Sequence, residues 1–140
     1  MSAALIRVGT VYIPVQNIEA SSSWYIGNLG VQISYKDKEK AMLNFAGTSF
    51  FLVKAKENEH NYFYDIHLNQ RFPITFEVNG VDRLKELHER FERKGIKVGG
   101  NEDRGHTGRN FVFHDLDGNM FDVWSELSSA YKALIDSTVK

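Results

Sequence analysis

The chain contains no cysteine, which removes disulfides, thiolate nucleophiles and zinc–cysteine sites from consideration. It also lacks an excess of either charge: 17 Lys and Arg stand against 18 Asp and Glu, a formal net charge of −1. Such a balance gathers no phosphates, and no Lys/Arg-rich run offers a local basic patch, so no nucleic-acid partner is expected. No apolar run approaches the roughly 20 residues that cross a bilayer, and residues 1–8 hold no apolar stretch suited to an export signal. The expectation is a cytoplasmic protein without a membrane partner. A phosphate-cradling P-loop, a G-x-S-x-G elbow and an acid pair at a defined catalytic spacing are absent as well.

What is present is apolar bulk arranged in short periods. Hydrophobic residues make up 42% of 140, with ten Phe, six Tyr and two Trp, enough to bury the core of one domain over residues 1–140. Val11, Ile13 and Val15 alternate with Thr10, Tyr12 and Pro14, the pattern of a half-buried strand. Asn17 caps a helix that runs through Trp24 and Tyr25 to Gly30. Val31, Ile33 and Tyr35 begin a second strand, and residues 42–45 and 50–53 form a hairpin around Ala46-Gly47-Thr48. Over residues 54–71 the alternation lapses into a long connection that is polar and aromatic together.

Alternation resumes at Ile74, Phe76 and Val78. Val81, Leu84, Leu87 and Phe91 then form the stripe of a helix that Gly95 stops. Ile96 and Val98 suggest a further strand. A glycine-rich loop over 99–108 leads to Asn110–His114, an Asp117-Gly118 turn and Met120–Trp124. Residues 127–139 read as a terminal helix with Leu127, Tyr131 and Leu134 inward.

The chain repeats itself. Thr10-Val11-Tyr12-Ile13-Pro14-Val15 returns as Pro73-Ile74-Thr75-Phe76-Glu77-Val78, Gly30-Val31-Gln32-Ile33 as Gly95-Ile96-Lys97-Val98, and residues 47–53 as 118–124. The fold class is therefore α+β: two tandem βαβββ modules, about 6–55 and 72–126, forming a curved, mostly antiparallel mixed sheet around a concave pocket. Val11, Ile13, Val15, Ile74, Phe76 and Val78 are expected to face the helices. The intervening Thr10, Tyr12, Pro14, Phe51, Pro73, Thr75, Glu77, Met120, Asp122 and Trp124 are expected to face the hollow.

Val15-Gln16-Asn17-Ile18-Glu19, Ser22, Trp24-Tyr25 and Leu29-Gly30 resemble the opening of the vicinal oxygen chelate superfamily. Phe113-His114-Asp115-Leu116-Asp117-Gly118-Asn119 is similar to its closing F-x-D-P-D-G-N turn. Glyoxalase I, fosfomycin- and bleomycin-resistance proteins and extradiol dioxygenases belong to that superfamily, so the resemblance implies a glyoxalase-like fold and leaves the reaction open. It also implies a homodimer. In the metal-using members, four inner strand positions supply His and carboxylate ligands. Here the matching positions are Thr10, Phe51, Pro73 and Asp122, of which Asp122 alone keeps a ligand type.

The resulting expectation is a small-molecule binder of the bleomycin-resistance type, with no cofactor and no catalytic residue assigned. Its binding residues are Tyr12, Phe51, Thr75, Glu77, Arg109, Met120, Asp122 and Trp124. Asp122 on that wall serves either a ligand or a structural pairing with Arg109 or another base, and the loop over 99–108 is a candidate lid carrying His106. The alternative is an enzyme of lyase, isomerase or dioxygenase type that uses a divalent metal ion. Its site would be rearranged, built from Asp122 with His106, His114, His60 or His67.

Overall fold

Alternating side chains and well-formed caps build the chain into two units. The computed structural model describes residues 4–139. The first unit is the described chain through Asn61 together with Asp115–Asn119, and the second is Tyr62–His114 with the chain from Met120 onward.

In the first unit β1 (Thr10–Val15), α1 (Ile18–Leu29), β2 (Gln32–Lys36), β3 (Lys40–Phe45) and β4 (Thr48–Lys54) follow in order. The sheet runs β1-β4-β3-β2, with β1 parallel to β4 and the other pairs antiparallel. Ile13, Val15, Ala41, Leu43, Phe50 and Leu52 are buried under α1, and Tyr12 and Phe51 point to the opposite face. Asn17 accepts a hydrogen bond from the Ala20 amide at 2.9 Å, and Gly30, at φ +66°, closes the helix by donating to the Ile26 carbonyl.

The turn Asp115–Asn119 locks this unit. Asp115, 6% exposed, accepts from the Tyr25 hydroxyl at 2.6 Å, from Asn119 Nδ2 at 2.9 Å and from the amides of Asp117 and Asn119. Asn119 Nδ2 also donates to the Pro14 carbonyl at 2.8 Å. Asp117 accepts from the Gln16 amide and from Ser21 Oγ. Burial pushes the Asp115 carboxyl above its ordinary value, against the hydrogen bonds from Tyr25 and Asn119 that pull it down. Burial, and then the neighbouring Asp115, raise the Tyr25 phenol well above its ordinary value, so it stays a neutral donor.

In the second unit a small hairpin, β5 (Phe63–Tyr64) and β6 (Gln70–Arg71), precedes β7 (Thr75–Glu77) and α2 (Val81–Arg93). Then come β8 (Asn110–His114), β9 (Met120–Trp124) and α3 (Ser129–Val139). The main sheet runs β7-β9-β8, with β7 parallel to β9. Leu84 and Phe91 of α2 cover it, Phe91 meeting Phe113 edge-on at 5.0 Å, while Phe113 and Phe121 pack at 5.3 Å. The sequence repeat reappears as register. In the first unit Tyr12 pairs with Phe51 across a parallel ladder, and in the second the equivalent Thr75 pairs with Asp122.

Three expectations change. Residues 96–98 make one bridge, Val98 to Phe113, instead of a strand, because Gly99 and Gly100 follow at once. The connection over 54–71 contains the β5–β6 hairpin, whose two-residue strands are too short to display alternation. In α3, Tyr131 and Leu134 are about half exposed rather than inward. Among the described residues no helix is long and apolar enough to cross a membrane.

Tyr25→Phe removes a donor from a buried carboxylate and is expected to lower unfolding stability by about 1.5–3 kcal/mol, measured by urea denaturation. The pH dependence has a definite sign. Because the folded-state value of Asp115 is raised, its contribution is complete below the unfolded carboxyl value of about 3.9 and is lost as pH rises through the folded value. The stability difference between wild type and Asp115→Asn should therefore shrink as pH is raised above the unfolded carboxyl value of about 3.9; a difference that grows would contradict this.

Candidate functional site

Strand β9 alternates between two environments. Phe121 and Val123 enter the core beneath α2, so Met120, Asp122 and Trp124 lie on the other face. The register sets Thr75 beside Asp122 and Glu77 beside Trp124 on one side, and Val112, Asn110 and His114 on the other. Five of the expected residues, Thr75, Glu77, Met120, Asp122 and Trp124, thus share one face of the second unit.

Asp122 is 4% exposed and is held from three directions. Its Oδ2 accepts from Asn110 Nδ2 at 2.9 Å and from Thr75 Oγ1 at 3.1 Å. Its Oδ1 lies 3.1 Å from Nη1 of Arg104, an ion pair whose approach angle falls outside hydrogen-bond geometry. The donation to Asp122 fixes the Asn110 amide, and its buried Oδ1 is left without a hydrogen-bond partner. His114 is half-buried on the same face, its Nδ1 likewise without a partner. Burial, and then the charge of Lys97, push its imidazole below the ordinary value, so it is neutral at pH 7.

The loop over 99–109 closes on this face. Arg104 also donates to Glu102 at 3.2 Å, and Trp124 Nε1 donates to the Thr107 carbonyl at 2.9 Å. His106 meets the Trp124 ring edge-on at 5.8 Å. The Arg109 amide donates to Ser125 Oγ, and Glu102 and Asn110 exchange two backbone hydrogen bonds. Gly108, at φ +82°, comes so close that a Cβ would lie 2.5 Å from Ser125 Oγ and 3.1 Å from Trp124 Nε1.

The remaining expected residues are placed differently. Arg109 turns to Asn101, donating to its side chain at 2.6 Å and its carbonyl at 2.9 Å, so the base on Asp122 is Arg104. Glu77 accepts from the Ser128 amide at 3.0 Å and anchors the entrance to α3. In the first unit Tyr12 and Phe51 stack at 5.3 Å with Tyr12 67% exposed, a flat aromatic surface. His60 lies next to Gly118, His67 is exposed in the β5–β6 turn, and His106 is on the loop. Among the described residues no three His, Asp or Glu side chains converge as a metal-holding group.

Arg104 and Asn110 were missed from the sequence. Asn110 had a signal: it alternates with Phe111 and Phe113, as Val112 and His114 do, so strand period alone puts it on the Asp122 face. Arg104, on an irregular loop, had none.

The family model for the Glyoxalase/Bleomycin resistance protein/Dioxygenase superfamily matches residues 7–123. The chain belongs to this superfamily. Solved structures agree on the fold. The lactoylglutathione lyase from Agrobacterium tumefaciens superposes with a TM-score of 0.67 at 13% identity, covering 87% of this chain and 95% of that one. The fosfomycin resistance protein FosX from Listeria monocytogenes, in complex with Mn(II) and sulfate, gives 0.66 at 15%, covering 96% and 99%. TnmS3, an antibiotic binding protein from Streptomyces sp. CB03234, gives 0.61 at 19%, covering 88% and 98%. No curated protein matches the sequence significantly.

The superfamily implies a divalent ion, and the residues at its ligand positions do not fit one. The side chains of Phe51 and Pro73 carry no donor atom, Thr10 offers a neutral hydroxyl, and Asp122 already faces the guanidinium of Arg104. A cation on that carboxylate would have to displace Arg104 first.

Gly108→Ala tests the docked loop. A left-handed conformation and the short approach to Ser125 together should cost about 1–3 kcal/mol. Limited proteolysis should then cut within 99–109 faster than in wild type; unchanged stability and cleavage would mean the loop does not depend on that contact.

Proposed function

We propose that this protein binds an organic small molecule on the Asp122 face of its second unit, without the divalent ion used elsewhere in the superfamily. The observation that carries the reading is a pair of buried acceptors, Asp122 Oδ1 and Asn110 Oδ1, that no hydrogen bond satisfies. Asn110 Oδ1 has no compensation, which costs about 1–3 kcal/mol, Asp122 Oδ1 is compensated by the Arg104 guanidinium alone, and a ligand bringing N–H or O–H donors would satisfy both. Trp124, against which His106 packs edge-on while the loop is closed, supplies ring surface at the same place. Swinging out Arg104 with the loop over 99–109 would open the face, and the ligand's donors would replace the guanidinium. The antibiotic binding protein TnmS3 lends analogy through its shared fold. The Tyr12–Phe51 stack is a second surface suited to aromatic rings.

The expected ligand is therefore flat and rich in donors, such as an aromatic amidine, amine or amide. A panel led by benzamidine should raise the melting temperature and change tryptophan fluorescence in the wild type. Asp122→Asn, which keeps the shape and removes the charge, should abolish the response. No response to any member, or an equal response in the variant, would overturn the proposal.

A further inference from the structure

The tip of the loop, residues 103–108, lies between two fixed points. On one side Glu102 exchanges backbone hydrogen bonds with Asn110 at 2.7 and 3.0 Å. On the other, the Arg109 amide donates to Ser125 Oγ at 2.8 Å, and the Ser125 amide donates to the Arg109 carbonyl at 3.0 Å. Between them Gly105 and Gly108 bend the chain at φ +86° and +82°, and the Gly105 amide donates to Asp103 within the tip itself. The tip is therefore a short flap that can lift while its two ends stay on the sheet.

Arg104 fits the acceptors beneath this flap poorly. Its Nη1 approaches Asp122 Oδ1 at 3.1 Å but off the hydrogen-bonding direction, and Nη2 turns away to Glu102. Asn110 Oδ1 stays unsatisfied, and the Arg104 side chain keeps 28% of its surface in water. A free amidinium or guanidinium, not held by the chain, can turn parallel N–H groups onto the carboxylate and the amide together. A neutral molecule that lifted Arg104 would leave the buried charge of Asp122 without a counterion, so the displacing molecule has to be a cation.

We propose that Arg104 is a built-in competitor: the flap over 103–108 closes the site with its own guanidinium, and a free amidinium or guanidinium opens it by taking that place. Resting on the ligand reading above, this gives the site a charge class and a mode of control. A tethered side chain competes at a high effective concentration. A face open about one-tenth of the time binds about tenfold more weakly than one always open.

Arg104→Gln keeps most of the side chain's bulk and removes its charge, so an emptied cavity does not by itself attract a probe. Benzamidine and its neutral isostere benzamide are titrated by tryptophan fluorescence against the full chain, wild type and variant. Amide hydrogen exchange across 103–108 is followed in the wild type with and without benzamidine. Benzamidine should bind Arg104→Gln about tenfold or more tighter than it binds wild type. In the wild type it should outbind benzamide and accelerate exchange across 103–108. An arginine that only braces the loop gives another pattern: affinity equal or weaker in Arg104→Gln, and exchange unchanged or slowed by benzamidine. Either of these, or benzamide binding as tightly as benzamidine, overturns the competitor and leaves ligand binding at Asp122 standing. Should the variant fail to fold, the wild-type exchange decides. Binding by Arg104→Gln with none by wild type supports the competitor and overturns the wild-type reading. Silence from both overturns the two together.

Discussion

Asp122 sits in the central strand of the second unit's sheet with almost no water around it, and its charge has to be held. A carboxylate moved out of water loses several kcal/mol of hydration unless donors or a cation replace it. Thr75, Asn110 and Arg104 do so here, and much of that face follows from their arrangement. Arg104 reaches Asp122 only if the loop over 99–109 lies down on the sheet. That requires Gly108 to pass close to Ser125 and gives Trp124 the Thr107 carbonyl as acceptor. The resemblance to the superfamily puts a metal ligand at this strand position; in this chain Arg104 lies 3.1 Å from the Asp122 carboxylate.

The first unit handles its buried carboxylate in another way. Asp115 is saturated by hydrogen-bond donors and needs no cation, and the turn carrying it is tied to α1 through Tyr25 and Ser21. The most recognisable residues of the chain, those of the closing turn, are therefore engaged in holding the fold. Their side chains are occupied with backbone amides, Tyr25, Ser21 and the Pro14 carbonyl. That explains physically why such a motif identifies the architecture and leaves the chemistry open.

Legibility followed periodicity. The repeat of residues 10–15 in 73–78 foretold matching registers, and Tyr12–Phe51 and Thr75–Asp122 occupy equivalent rungs. Strand alternation likewise set Phe50 inward and Phe51 outward. Where no period exists, nothing in the sequence could substitute for it. The β5–β6 hairpin depends on Asp65 turn chemistry, and Arg104 reaches Asp122 from an irregular loop. Arg109, five residues further on and equally basic, turns to Asn101 instead. Which of two arginines meets a carboxylate is decided by loop geometry, and composition is blind to that.

We propose that Arg104, and not a divalent ion, neutralises Asp122. Elemental analysis of the full chain, purified without chelator or affinity tag, tests it most directly. Transition metal near zero per chain is expected, in the wild type and in Asp122→Asn alike. A stoichiometric first-row metal in the wild type that is lost in Asp122→Asn would contradict it.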